Sequence, residues 1–139
     1  MSRVNVTLGS TGIIVNKNGF GALPIQRVNT DKAVNILRMA LDGGMNYYDT
    51  ARAYTDSEEK IGKAFKGLRD KVIIATKTAA LNAENMIEDL ETSLKNLKTD
   101  YIDVYQFHNP PFCPKESDDI GLYKAALTAK KENAGMTDG

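Results

Sequence analysis

Val72-Ile73-Ile74-Ala75-Thr76 is a continuous apolar run that ends on a charge, Lys77. A strand with one face in water alternates apolar and polar residues, whereas a strand covered on both faces is apolar throughout. The run therefore predicts a central strand of a parallel α/β sheet. Upstream, Met45 to Tyr48 reads as a second strand, followed by a helix opened by Asp56 with Glu59 at the capping-box spacing and Ile61, Ala64, Phe65 and Leu68 on its buried stripe. Further upstream lies a short strand at Asn18 to Ala22. A loop through Pro24 then leads to a helix capped by Thr30, with Ala33, Ile36, Leu37, Ala40 and Leu41 buried and Gly43-Gly44 past its end.

Downstream, a helix starts near Asn82 with Ile87, Leu90, Leu94 and Leu97 at spacings of three and four. A strand at Tyr101 to Phe107 follows, then the hard stop Pro110-Pro111 and a helix from Ile120 to Glu132. Val4, Val6 and Leu8 alternate with polar residues ahead of Gly9-Ser10-Thr11-Gly12 and Ile13-Ile14-Val15, which predicts a β-hairpin. The expected organisation is one domain over 1–139: a hairpin at 1–16, four βα units over 17–132 and an irregular tail at 133–139 without a strand pattern.

The chain has 139 residues, with 18 Lys+Arg against 18 Asp+Glu and 42% hydrophobic residues, the make-up of an ordinary globular domain. A formal net charge of zero supplies no electrostatic argument for nucleic acid or an anionic membrane as a partner, and neither is expected. The chain has no apolar run near the ~18 residues of a membrane span. One cysteine, Cys113, makes no internal disulfide and holds no metal on its own, so a cytoplasmic location and no metal are expected.

In a parallel sheet all strands end at one edge, so polar residues at successive strand ends converge although far apart in sequence. Asp49, Lys77 and His108 end the second, third and fourth strands, 28 and 31 residues apart, and Tyr54 follows in the loop after Asp49. Period-two alternation puts Tyr47 with Asp49, Ile73 and Ala75 with Lys77, and Ile102, Val104 and Gln106 with His108. A lysine and an aspartate at an apolar rim pair, because an unpaired buried charge is costly. A cation beside a tyrosine hydroxyl makes it a better proton donor. Each residue alone also has a plainer reading: Asp49 as a loop cap, Tyr54 as packing, His108 as a turn histidine. Gly19-Phe20-Gly21 begins like a dinucleotide fingerprint, but Pro24 stands at the third glycine position. An open flavodoxin-like sheet is an alternative use of four βα units, without its Gly-rich phosphate turn.

Gly19-Phe20-Gly21-Ala22-Leu23-Pro24, Asn46-Tyr47-Tyr48-Asp49-Thr50-Ala51-Arg52-Ala53-Tyr54, Ser57-Glu58-Glu59-Lys60-Ile61-Gly62, Ile74-Ala75-Thr76-Lys77 and Asp103-Val104-Tyr105-Gln106-Phe107-His108 resemble, in order, the aldo-keto reductases. Leu23-Pro24-Ile25-Gln26-Arg27 looks more like the branch of that family with an iron-sulfur segment, whose cysteines this sequence lacks. The resemblance implies a (β/α)8 TIM barrel with an N-terminal hairpin, and NAD(P)H-dependent reduction of aldehydes or ketones. It implies Tyr54 as general acid, Lys77 paired with Asp49 behind it, and His108 orienting the carbonyl. Asn109 would line the substrate edge, and Asp49 would also face the cofactor. A full barrel needs eight strands and about 250 residues. The expectation is therefore an N-terminal half-barrel, inactive alone, with doubtful NAD(P)H binding, covering its open side as a homo-oligomer. The alternative is a non-catalytic half-barrel that serves as a binding or interaction module.

Overall fold

The computed structural model describes residues 5–115, 121–132 and 137–138. It opens with the antiparallel hairpin of β1 (Asn5–Thr7) and β2 (Ile14–Asn16), in register Val6 to Val15. The four-residue loop closes because Gly9 and Gly12 adopt φ of +52° and +76°, left-handed values open to glycine. Asn46 ties the hairpin to the sheet, accepting from the Asn16 N–H at 2.7 Å and donating to the Ile14 carbonyl at 3.1 Å.

Five strands then form one parallel sheet: β3 (Phe20–Gly21), β4 (Tyr47–Asp49), β5 (Ile73–Thr78), β6 (Val104–Phe107) and β7 (Thr137–Asp138). Their order in space is their order in the chain. The helices α1 (Thr30–Asp42), α2 (Ser57–Ala64), α3 (Ala83–Leu97) and α4 (Leu122–Glu132) connect them, each packed on the next. A doubly wound flavodoxin-like sheet reverses its strand order at a switch point. This sheet does not reverse, so that alternative is overturned and the winding is that of a partial (β/α)8 barrel.

The helix-side face of the sheet carries the core. Tyr48, Ile74 and Tyr105 pack there with Leu37, Ile61, Met86, Leu90 and Leu97. Each such side chain contributes about 1.5–3 kcal/mol on burial. Along β5, Ile74, Thr76 and Thr78 are buried on this side while Ile73, Ala75 and Lys77 take the other. Tyr48 stacks between Phe20 and Phe65, and its hydroxyl donates to the Met45 carbonyl at 2.7 Å.

Local details depart from the sequence reading where side-chain chemistry had two outlets. Helix α1 is capped by Asn29, not Thr30: Asn29 has extended backbone and its side chain accepts from the Lys32 N–H. The capping box at Asp56 does not form, because that carboxylate turns to Lys60 Nζ at 2.9 Å. On α3 the buried stripe is Met86, Leu90, Ser93 and Leu97, with Ile87 exposed. The small Ser93 was invisible to an apolar pattern. Ile102 joins the helix-side core because β6 starts only at Val104, so alternation does not extend back to it. In the tail expected to be irregular, Thr137 and Asp138 pair with Val104 and Tyr105 as a further parallel strand. Among the described residues no helix is long and apolar enough to cross a membrane, and no group of three or more His, Cys, Asp or Glu side chains is placed to hold a metal.

Candidate active site

The four residues expected to converge do so at the C-terminal edge of the sheet. Strand β4 ends on Asp49, and β5 aligns Ala75 beside it in register, so Lys77 lies one step further toward the rim. Its ammonium donates to Asp49 Oδ1 at 2.9 Å and to the Thr50 carbonyl at 2.7 Å. The lysine side chain is 15% exposed and the aspartate 37%. The ion pair thus lies at the border of the interior, where a charge without a partner would be destabilising.

Tyr54 comes to this pair on the loop between β4 and α2. The Lys77 ammonium lies 5.4 Å from its ring centroid. His108, just past β6, meets the same ring edge-on, with centroids 5.6 Å apart and planes at 88°. Ladder-type hydrogen bonds continue past the strands and hold these loops: Thr50 N–H to the Ala75 carbonyl at 2.8 Å, Arg52 N–H to Lys77 at 3.0 Å, His108 N–H to Thr78 at 2.8 Å. Both aromatic residues are followed by a non-glycine residue in the left-handed region, Thr55 at φ +40° and Asn109 at φ +46°. Such conformations are uphill and persist where surrounding contacts dictate them. Thr55 is held by its hydroxyl, which donates to Gln26 Oε1 at 3.0 Å. Asn109 is exposed and forms no hydrogen bond with the other four.

Sequence reasoning did not single out what braces the Tyr54 loop. Glu58 is fully buried at the start of α2 and pairs with Arg52, accepts from Thr76 Oγ1 at 2.8 Å and from Asn96 Nδ2 at 3.5 Å. Thr50 and Ser57 share a hydroxyl hydrogen bond of 2.7 Å across the base of the loop. Lys60, 2% exposed, donates to the Ile25 carbonyl at 2.9 Å and so joins α2 to the turn after β3. The sequence signal was present: Glu58 and Lys60 sit on the helical face shared with Ile61, where an unpartnered charge is excluded.

The other phenols near this edge hold their protons tightly. Burial, with smaller contributions from Asp49 and Asp103, pushes Tyr47 up, and burial pushes Tyr48 up to about 12 and Tyr105 higher still. Tyr54 is the phenol set beside a cation.

An acid–lysine pair, a phenol and an imidazole thus meet at the C-terminal rim of a sequentially wound parallel sheet, the winding of a partial (β/α)8 barrel. Residues 17–128 match the model of the aldo/keto reductase family, to which the chain belongs. It is 42% identical over 130 residues to aldo-keto reductase YhdN of Bacillus subtilis, spanning 79% of this chain and 39% of that protein. It is 33% identical over 124 residues to methylglyoxal reductase DkgA of Yersinia pestis, spanning 87% and 43%. The crystal structure of an aldo-keto reductase from Klebsiella pneumoniae in complex with NADPH superposes with a TM-score of 0.86 at 29% identity, over 100% of this chain and 49% of that one. The chain thus spans about two-fifths of the length of these curated relatives.

The described residues do not by themselves fit a dinucleotide. Lys77, Arg52 and Lys60, the cations around the Tyr54 loop, are each already paired with a carboxylate. Strand β3 leads into a 3-10 turn, Leu23–Arg27, with proline at its start, not into a helix N-terminus that cradles phosphate.

Proposed function

We propose that this chain supplies the proton-transfer half of a carbonyl reductase acting on small aldehydes or ketones. The observation that carries this reading is the contiguous set Asp49–Lys77–Tyr54–His108. Tyr54 donates the proton to the carbonyl oxygen, and the adjacent ammonium of Lys77 stabilises the phenolate left behind. Asp49 holds that ammonium in place, while His108 positions the carbonyl through a hydrogen bond. Asn109 borders the substrate. In a complete barrel of this family the reduced nicotinamide of NAD(P)H supplies the hydride; the residues here handle the oxygen and its proton.

Two measurements test the proposal. Acetophenone, a carbonyl compound inert to lysine at neutral pH, is titrated against the full chain while the ring resonances of His108, the only histidine, are followed. Saturable shifts are expected, weakened about five- to tenfold in Tyr54→Phe, the worth of one hydrogen bond. No shift, or equal binding by the variant, refutes the assignment. Titration of NADPH fluorescence is expected to show no binding by this chain alone and no aldehyde-dependent NADPH consumption. Turnover abolished by Tyr54→Phe would refute that part. Among the described residues β3 lies at an edge of the sheet, which further favours pairing with a second copy, a state that sedimentation velocity reads directly. Cys113, a free and exposed thiol, favours a reducing, cytoplasmic compartment.

A further inference from the structure

We infer that Asn18-Gly19 is a site of spontaneous covalent modification, at which the asparagine side chain closes on the next main-chain nitrogen to a succinimide that opens to aspartate and isoaspartate. In the closing step the Gly19 nitrogen bonds to Asn18 Cγ, the Cγ–Nδ2 bond breaks, and Nδ2 leaves as ammonia with the Gly19 amide proton. Solvent water then adds to one of the two imide carbonyls. Opening at Cγ gives aspartate, and opening at the main-chain carbonyl gives isoaspartate. Nothing is oxidised or reduced, and the chain gains one mass unit and one negative charge.

Ring closure is favoured by a following residue without a side chain, an exposed carboxamide and an amide nitrogen not held in a hydrogen bond. Asn18 is the only asparagine of the sequence followed by glycine. It lies in the link between β2 and β3, where Asn18 and Gly19 are both exposed. The Asn18 N–H donates to Asn16 Oδ1 at 2.9 Å, while neither the Asn18 carboxamide nor the Gly19 N–H is hydrogen-bonded among the described residues. Asp42-Gly43 can close the same ring on paper and shows the contrast: it ends α1, and the Gly43 N–H donates to the Met39 carbonyl at 3.0 Å. Packing itself dictates the glycine at 19, since a Cβ there would stand 3.2 Å from Tyr47 Cδ1. The close approach to Tyr47 thus keeps a reactive bond in the chain.

The two products act differently on β3. Aspartate adds a charge at an exposed position. Isoaspartate lengthens the main chain by one carbon just ahead of Phe20, which is in register with Tyr48, and of Ala22, whose N–H donates to the Asp49 carbonyl at 2.8 Å. Strand β3 has two residues and lies at an edge of the sheet, so it loosens before the strands inside.

In the test, the full chain is held in mildly alkaline buffer, native and in urea, and its peptides are mapped by mass over time. The native peptide containing Asn18 is expected to gain one mass unit at a rate within about tenfold of that in urea, and faster than any other asparagine peptide. Asn18→Gln, at an exposed position, is expected to leave that peptide unmodified over the same period. In the isoaspartate fraction, exchange of the Ala22 amide is expected to be at least about tenfold faster than in Asn18→Asp, which carries the charge alone. A native rate more than about tenfold below that in urea, faster reaction at another asparagine, or the same mass gain in Asn18→Gln overturns the site. Equal Ala22 exchange in the isoaspartate fraction and in Asn18→Asp overturns the effect on β3 and leaves the site standing.

Discussion

Replacing Arg52 by alanine strips a buried carboxylate of its counter-ion. Glu58 has no exposed side-chain surface, and without the guanidinium it keeps only two neutral donors, Thr76 Oγ1 at 2.8 Å and Asn96 Nδ2 at 3.5 Å. Removing one member of a buried pair costs about 3–5 kcal/mol. The Arg52 side chain is 26% exposed, so water takes over part of its place and the expected loss is about 2–4 kcal/mol. At about 3 °C per kcal/mol for a chain of this size, Tm falls by about 6–12 °C. Glu58→Gln in the Arg52→Ala background removes the stranded charge, so the double variant is expected to be more stable than the sum of the singles by at least about 1.5 kcal/mol. Urea unfolding of parent, both singles and the double, at equal m-values, measures this cycle. An Arg52→Ala variant within about 0.5 kcal/mol of the parent, or strict additivity, refutes the claim that this pair braces the Tyr54 loop.

A methyl group at Gly62 would stand 2.4 Å from the Asn96 carbonyl oxygen and 2.8 Å from the Leu97 carbonyl carbon, both backbone. Gly62→Ala gains about 1 kcal/mol of helix preference but forces α2 off α3, and a net loss of about 1–3 kcal/mol is expected in urea unfolding. Burial raises Tyr48 from 10.0 to about 12, so its contribution is complete below pH 10 and is lost as pH rises toward 12. Tyr48→Phe is therefore expected to lose about 1 kcal/mol at neutral pH and to show a shallower alkaline limb by circular dichroism. Asp56 is lowered from 3.8, chiefly by its hydrogen bond to Lys60, so its contribution is present above pH 3.8 and fades as pH falls further. Asp56→Asn is expected to flatten the acid limb of the stability profile, by a small amount at this half-exposed site.

The parallel sheet was legible because Ile73 to Thr76 had to be covered on both sides, and the rim residues because each strand ended on a polar group. Side-chain chemistry with competing outlets was not legible. Asp56 reads as a cap until Lys60, four residues on, proves the better partner. Ser93 carries no apolar signal, yet it is buried on α3, which Gly62 lets α2 approach closely at Asn96 and Leu97. The short pairing of Thr137 and Asp138 with β6 depends on a neighbour, not on local pattern, and two residues carry no periodicity. Four of the five named site residues meet; the link missed was the Glu58 brace, because the apolar periodicity of α2 draws the eye to Ile61 and not to the carboxylate beside it.

The ladder bonds that run on past β4, β5 and β6 into the rim have a consequence for amide exchange and for redesign. The N–H groups of Thr50, Arg52 and His108 donate to carbonyls of Ala75, Lys77 and Thr78, so their protons should be retained in D2O about as long as those of the sheet itself. The corner where Asp49, Tyr54, Lys77 and His108 meet is thereby tied to the strands it follows. Redesign that keeps the shape of that corner leaves Thr50, Arg52 and His108 in place and exchanges the exposed residues after Thr78 instead.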